Sequence, residues 1–302
     1  MTETLPRTTE DDTTGSYYEV RELRRLSAIE EAFGSDRSFG AYGLGHLEFE
    51  LFPLARFWVA SGEQGSAIVM HARALGPTVV VAGEPSALAA ILALHPGMRN
   101  AYLSTAAPEH RAVLERFYRL SSPLVMQRMS VDTARFIERP GPVRRLRGAD
   151  VKRINALYAT EGGPSNYNFD AVERAIYYGV FDAEELVAVA GTHIVAPNQS
   201  IAVVGNVFTA RNARGRGFAS AVTSAVTREL LDRGCLDVVL TVDPANTPAV
   251  VAYTGLGYRP QASVIEARLT RRDFLGVVPA ARRWAARRRS QAPGVELIDP
   301  DR

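Results

Sequence analysis

The feature that most constrains this chain is a turn rich in arginine and glycine between an apolar strand and an amphipathic helix. Residues 200–209 are mostly apolar and predict a strand that ends at Thr209. The run Arg214-Gly215-Arg216-Gly217-Phe218-Ala219 follows. Helical spacing of apolar residues then continues from Gly217 to Arg233, and Gly234 ends the predicted helix. The turn is therefore expected at a strand-to-helix corner.

The chemistry of this turn suits a pyrophosphate. The first turn of a helix has backbone N–H groups without partners, and the helix dipole adds partial positive charge there. Gly215 and Gly217 let an anion approach closely and can adopt positive φ, while Arg214 and Arg216 add formal charge. The spacing is neither that of a P-loop nor that of a dinucleotide-binding turn. On these residues alone, an ordinary solvated turn stays an open alternative.

The length of 302 residues exceeds one core of usual size, so two domains are expected. The run from Glu138 to Pro142 contains two prolines and a glycine and predicts a linker near residues 137–140. The predicted parts are a disordered tail (1–16), an N-terminal α/β domain (17–138), a second domain (139–275) and a basic C-terminal tail (276–302).

In the first half, residues 67–72 and 78–82 predict two strands, and residues 85–94 and 110–120 predict helices. The strand-to-helix corner here reads Gly83-Glu84-Pro85, and the carboxylate of Glu84 would repel a phosphate. We therefore assign no cofactor to this half.

The second half alternates strands and helices. A hairpin is predicted around residues 182–185, a buried strand over 236–242 and a last strand over 263–269. The predicted helices besides that of the arginine turn are 149–160, 169–177 and 247–254.

Two motifs in this half resemble a known family. Arg214-x-x-Gly217-x-Ala219 resembles the [QR]-x-x-G-x-[GA] signature of the GNAT superfamily, whose members are acyl-CoA-dependent N-acyltransferases. The segment from Asn246 to Tyr258 resembles the family's N-x-x-A-x-x-x-Y-x-x-L-G-[FY] segment. The resemblance covers about 139–270. It implies an α/β (α+β) fold with a mixed, mostly antiparallel central sheet flanked by helices, and the first half resembles a degenerate GNAT-like domain in tandem; an unrelated α/β accessory domain is the alternative.

The resemblance implies acetyl-CoA, or another acyl-CoA, as co-substrate and no metal. The turn would hold the pyrophosphate, the end of the preceding strand would pair with the pantetheine arm, and Asn246 would contact the arm or order its loop. The implied cofactor-binding residues are Val207, Phe208, Thr209, Arg214, Gly215, Arg216, Gly217, Phe218, Ala219, Ser220 and Asn246.

Three residues are candidates for catalysis. Tyr253 matches the family tyrosine that protonates the departing thiolate, and a packing tyrosine is the alternative. His193 in its strand and Glu161 in the preceding loop are candidates for the general base, although a structural histidine and an exposed glutamate are also compatible. Asn206 stands where many relatives carry a catalytic glutamate nearby, and an amide cannot act as a base.

The implied reaction moves an acetyl or other short acyl group to a primary amine of a small molecule or peptide. The rival function is a non-catalytic acyl-CoA-binding regulator. Nucleic-acid binding through the arginines around Trp284 is less favoured, and a homodimer stays open. No apolar run is long enough to span a bilayer, and residues 1–16 lack a secretory pattern, so a cytoplasmic location is expected. The single cysteine, Cys235, permits no intrachain disulfide and is expected in the core.

Overall fold

A computed structural model of the chain describes residues 17–74, 76–163, 165–273, 275–290 and 292–300. The tail predicted over 1–16 lies outside these residues. The strands are β1 (Tyr18–Leu23), β2 (Ala55–Gly62), β3 (Gly65–Ala72), β4 (Thr78–Gly83), β5 (Asn100–Thr105), β6 (Tyr118–Val131), β7 (Val143–Leu146), β8 (Tyr177–Asp182), β9 (Glu185–Ala196), β10 (Ile201–Thr209), β11 (Asp237–Val242), β12 (Arg259–Arg271) and β13 (Val295–Ile298). The α-helices are α1 (Leu26–Phe33), α2 (Ala41–Gly45), α3 (Pro85–Leu94), α4 (Arg111–Phe117), α5 (Val151–Ala159), α6 (Phe169–Arg174), α7 (Phe218–Asp232), α8 (Thr247–Gly255) and α9 (Val277–Arg289).

The order of elements repeats once along the chain. The series β1-α1-α2-β2-β3-β4-α3-β5-α4-β6, here the first copy, recurs as β7-α5-α6-β8-β9-β10-α7-β11-α8-β12, the second copy. Each copy contains one parallel pair, β4 with β5 and β10 with β11, and the remaining pairs in the described sheet are antiparallel. The predicted fold class, a mixed, mostly antiparallel sheet flanked by helices with two units in tandem, is confirmed.

The two copies share one continuous sheet, because each contributes its last strand to the other. The strand order is β13-β1-β2-β3-β4-β5-β12-β6-β11-β10-β9-β8-β7. Strand β12 pairs with β5 of the first copy, and β6 pairs with β11 of the second. The domain boundary between residues 138 and 139 stays a prediction. Strand pairing joins its two sides, because β5 pairs with β12 and β6 pairs with β11.

Helices α1 and α2 connect the copies on one face of the sheet. Ile29 of α1 and Leu44 of α2 are buried in a cluster that also holds Met70 of the first copy and Ile194 and Val203 of the second. Burying apolar side chains from both copies in one cluster stabilises their relative position. This packing places the side chains of α2 above β9 and β10.

The range predicted as a basic tail contains α9 and β13. Helix α9 packs against α3, whose residues 87–94 are all buried, and β13 pairs with β1 at the sheet edge. Arg283 donates a hydrogen bond to the carbonyl of Leu94 at the end of α3, 2.6 Å away, where cations are favoured. Some of the arginines in this range therefore stabilise the first copy.

Other differences from the sequence analysis are local. Strand β6 was not expected, and the helices predicted over 110–120 and 169–177 end at Phe117 and Arg174. In both cases the residues that follow join strands: Tyr118 pairs with Arg271, far away in the chain, and Tyr177 pairs with Gly191 of the next strand. Tertiary pairing overrides local helical spacing there. Each helix in the described ranges falls short of the length and apolar character that a bilayer span requires.

Candidate active site

The arginine–glycine turn lies where the sequence placed it, between β10 and α7. Gly215 and Gly217 have φ of 78° and 77°, in the left-handed region that favours glycine. Residues 215–220 precede or open α7. Their backbone N–H groups donate no hydrogen bond to any residue that the structure describes. The guanidinium of Arg216 pairs with Asp182 at 2.8 Å. The turn therefore presents unpaired donors at the N-terminus of a long helix, the arrangement that binds phosphate groups.

Arg214 and Glu161 form an ion pair beside this turn. One terminal nitrogen of Arg214 lies 2.6 Å from each carboxylate oxygen of Glu161, and its Nε donates to the carbonyl of Thr209 at 3.1 Å. Both side chains are substantially exposed. Glu161 is thus brought to the arginine–glycine turn rather than to His193.

Strands β10 and β11 part where the resemblance requires an opening. Their parallel pairing runs from Ile201 with Asp237 to Val203 with Val239 and then stops. On its other side, β10 is irregular between Gly205 and Phe208, and Asn206 adopts a φ of 55°. Backbone groups of β10 beyond Val203 are therefore available on the side that faces the opening.

Asn206 is the centre of a hydrogen-bond network on this irregular segment. Its Oδ1 accepts from the hydroxyl of Tyr167 at 2.9 Å and its Nδ2 donates to Tyr177 at 2.8 Å. Its carbonyl accepts from Tyr158 at 2.5 Å. Non-glycine residues in the left-handed region persist where surrounding contacts fix them, often at functional sites. The network accounts for an asparagine at this position.

His193 of β9 faces the same network. Its Nε2 lies 3.1 Å from Oδ1 of Asn206, and its Nδ1 lies 2.6 Å from the hydroxyl of Tyr42 on α2. The ring is reachable from a cleft but surrounded by protein. Enclosure disfavours the imidazolium and lowers the pKa of His193, although Asn206 opposes this effect.

The cleft has a volume of about 1690 Å³ and runs across both copies. Tyr42 of α2 and His46, which follows this helix, line it together with His193, Asn206 and the residues around Tyr167. A second groove of about 450 Å³ lies between the starts of α7 and α8, bounded by Arg216, Phe218, Val251 and the predicted linker. The turn and the cleft thus flank the opening between β10 and β11.

Comparison with known proteins identifies the second copy. Residues 149–258 match the model of the acetyltransferase (GNAT) family. These residues form a GNAT-family acetyltransferase domain. The match includes the turn, the opening and α8. No curated protein matches the sequence.

Solved structures share the fold over more than this GNAT domain. A Drosophila protein has a TM-score of 0.61 at 16% identity, covering 83% of this chain and 98% of its own. A GCN5-related N-acetyltransferase-like protein from Streptococcus suis has a TM-score of 0.52 at 12% identity, covering 82% and 98%. A putative GNAT-family acetyltransferase from Novosphingobium aromaticivorans is 23% identical with a TM-score of 0.48, covering 64% and 83%. At these identities the likeness concerns the fold alone.

Two further residues of the GNAT domain lie in or next to α8. Tyr253 is largely buried, and burial raises its pKa to about 12. Its hydroxyl makes no hydrogen bond to another residue that the structure describes. Asn246 caps α8 through Oδ1, which accepts from the N–H of Ala249 at 3.3 Å. The structure therefore shows Asn246 ordering the loop that precedes α8.

The equivalent corner of the first copy is closed to phosphate. The carboxylate of Glu84 accepts hydrogen bonds from the N–H groups of Ser86 and Ala87 at 2.8 and 2.7 Å. The side chain of Glu84 thus caps the start of α3, a role that the sequence analysis did not predict. Cys235 is also buried in the core, as expected.

Sequence reasoning missed Tyr42, because it lies 151 residues from its hydrogen-bond partner His193. It also missed the tyrosines around Asn206. No local signal identifies Tyr42, whereas tyrosine enrichment near Tyr167 and Tyr177, ahead of the strand pair, was visible in the sequence.

Proposed function

We propose that the protein is an N-acetyltransferase that moves an acetyl or other short acyl group from CoA to a primary amine by direct attack in a ternary complex. The observation that supports this most is the row of unpaired N–H groups over 215–220 within a GNAT-family domain. A small-molecule or peptide amine as acceptor and a cytoplasmic location are parts of the same proposal.

In this proposal, the turn binds the pyrophosphate of acetyl-CoA. Residues 215–220 supply N–H groups, and Arg214 and Arg216 supply charge. The pantetheine arm enters between β10 and β11 and pairs with the backbone of Val207 to Thr209 in the manner of an added strand. The N–H of Val207 then polarises the thioester carbonyl, as an oxyanion donor does.

Tyr253 is the proposed general acid. When the amine attacks the thioester carbon and the C–S bond breaks, the departing thiolate needs a proton, since thiol pKa values lie near 8.5. A hydroxyl whose pKa is about 12 keeps its proton at neutral pH. It can therefore donate that proton as negative charge develops on sulfur.

His193 is the proposed base, and the cleft is the proposed acceptor site. The side chain of His193 lines the cleft near β10, where the acceptor amine must stand to attack the thioester. Glu161 is less favoured as base or amine anchor because Arg214 holds both of its carboxylate oxygens.

The test is calorimetric titration with acetyl-CoA of the wild type, Gly217→Glu and Gly34→Glu. Gly34 also has positive φ, 74°, with open space where a Cβ would stand, so it controls for strain and for the added charge. We expect micromolar binding by the wild type and Gly34→Glu, and none by Gly217→Glu. Thiol release is then measured with a panel of amines. Binding of acetyl-CoA without thiol release would favour a non-catalytic acyl-CoA-binding regulator. Absence of acetyl-CoA binding by the wild type would overturn the proposal.

A further inference from the structure

Both ring nitrogens of His193 are already engaged. Oδ1 of Asn206 can only accept a hydrogen bond, so Nε2 carries the proton. A neutral imidazole then has one lone pair, on Nδ1, and the Tyr42 hydroxyl lies 2.6 Å from it. The hydroxyl donates to this lone pair. His193 therefore has no free lone pair for the ammonium group of an acceptor.

Tyr42 lines the cleft beside His193. It lies on α2, a helix of the first copy that packs over β9 and β10. While its O–H donates to His193, the oxygen lone pairs stay able to accept a hydrogen bond. An ammonium in the cleft can thus pass a proton to the Nδ1 lone pair of His193 through this hydroxyl.

A buried cation lies beneath Tyr42. The guanidinium carbon of Arg128, from β6, is 5.2 Å from the centre of the Tyr42 ring, and the side chain of Arg128 is fully buried. One terminal nitrogen donates to Ser104 and Thr105, but Nε and Nη1 have no partner among the described residues. A buried cation with unpaired donors is costly, and this one directs its positive charge at the ring of Tyr42.

We propose that Tyr42 of the first copy is a catalytic residue that relays the proton of the acceptor ammonium to His193. The inference rests on the acetyltransferase function proposed above. It gives the first copy, which has no cofactor turn, a part in the chemistry.

The relay moves one proton in two linked transfers. The ammonium gives a proton to the oxygen of Tyr42, and the hydroxyl proton of Tyr42 passes to Nδ1 of His193. The products are a free amine, an unchanged tyrosine and an imidazolium whose Nε2–H still donates to Asn206. The amine lone pair then attacks the thioester carbon, the C–S bond breaks, and the thiolate takes its proton from Tyr253.

The charges that face the pair act on it in opposite directions. Burial raises the pKa of Tyr42 and Glu266 adds to that effect, whereas Arg128 opposes it and favours negative charge on the oxygen. Burial and Arg128 disfavour the imidazolium of His193, whereas Glu266 of β12, which accepts a hydrogen bond from Tyr102 at 2.6 Å, favours it. Arg128 thus favours loss of the hydroxyl proton of Tyr42, and Glu266 favours its acceptance by His193.

The test compares the pH profiles of kcat/KM for the wild type, Tyr42→Phe and Tyr118→Phe, with an amine that the wild type acylates. At neutral pH, Tyr42→Phe should lose about 10²-fold, the scale of general base catalysis. The loss should shrink as pH approaches the pKa of the amine, roughly 10.4 for a lysine-like acceptor, because a free amine needs no base. Affinity for acetyl-CoA should not change.

Tyr118→Phe is the control, because it removes the buried hydroxyl that donates to the carbonyl of Pro96, outside the cleft. A loss in Tyr42→Phe that is equal at every pH would mean a structural role and overturn the relay while leaving the acetyltransferase function intact. A wild type that binds acetyl-CoA but acylates no amine would overturn both.

A second measurement follows the tautomer of His193 by ¹⁵N NMR of the full chain, with its signals assigned by their loss in His193→Gln. We expect protonated Nε2 and unprotonated Nδ1 in the wild type, and a changed Nδ1 signal in Tyr42→Phe. Protonated Nδ1 in the wild type would overturn the relay. This result comes from the wild type alone, so it holds even if Tyr42→Phe folds poorly.

Discussion

At the scale of single residues, the hydrogen-bond partners of each side chain in the site limit the role that this side chain can take. Asn206 uses its amide and its carbonyl to bind three tyrosines and His193, so it fixes geometry and cannot exchange protons. The hydroxyl of Tyr253 makes no hydrogen bond to another described residue, which the proposed acid role requires. Both carboxylate oxygens of Glu161 contact Arg214.

Tyr253→Phe should lower kcat by about 10²-fold while affinity for acetyl-CoA stays unchanged, because only the proton to the thiolate is lost. Thiol release under saturating substrates measures this. Tyr258→Phe is the matched control: its hydroxyl lies 2.7 Å from Thr227 in the core, so its loss should affect stability and not kcat. Equal kcat in Tyr253→Phe and the wild type would remove the acid role.

Glu161→Gln should bind acetyl-CoA more tightly, by about 2- to 5-fold, since an exposed ion pair contributes at most about 1 kcal/mol. The substitution releases Arg214 for the pyrophosphate and removes a negative charge near it. Calorimetry measures the affinity for acetyl-CoA, and kcat tests the rival role of Glu161 as the general base. A drop of 10²-fold in kcat with unchanged affinity would identify Glu161 as the base instead.

At the scale of elements, the same strand-to-helix corner serves opposite purposes in the two copies. Before α7 it leaves donors unpaired, whereas before α3 the carboxylate of Glu84 satisfies them internally. Burial alone would raise the pKa of Glu84, but hydrogen bonds from Ser86, Ala87 and Tyr18 lower it overall. The carboxylate of Glu84 thus caps α3, whereas the corresponding donors before α7 stay unpaired.

Glu84→Ala should destabilise the protein by about 1 kcal/mol at neutral pH, the usual cost of losing an N-cap. Because the folded pKa of Glu84 is depressed, its contribution is complete above the unfolded value, roughly 4.3, and is lost as pH falls through the folded value. Urea unfolding at pH 7 and pH 3 checks this. The exposed Glu31 gives a control, Glu31→Ala; a Glu84→Ala deficit that persisted undiminished at pH 3 would contradict the capping account.

At the scale of the whole molecule, the exchange of β6 and β12 makes the two copies one folding unit. Strand β6 lies between β12 and β11, so removing the first copy exposes the edges of both strands. Helix α2 packs against β9 and β10 as well. Long unpaired edges are sites of aggregation.

Fragments 1–138 and 139–302, expressed separately, should therefore aggregate or stay unfolded, and expressed together they should form a soluble 1:1 complex. Gel filtration and circular dichroism measure this. A full-length chain cut between 138 and 139 by an inserted protease site is the matched control and should remain associated. A soluble, cooperatively unfolding 139–302 fragment that binds acetyl-CoA would instead support two independent domains.

The sequence alone determined the local features of the second copy: the turn, α7, the hairpin of β8 and β9, and α8 with Tyr253. These depend on residues within a few positions of each other, because glycine punctuation, helical spacing and capping act over one or two turns of chain. The same holds for α3 and for the closed corner at Glu84.

Only the tertiary structure decided how the copies combine and what completes the cleft. Strand β6 carries no strong alternating pattern, and its pairing with β11 and β12 is set by partners more than 100 residues away. Tyr42 meets His193 only because α2 packs across both copies. Such contacts follow from burying one continuous sheet under shared helices, a non-local balance of packing and strand pairing that local sequence patterns do not record.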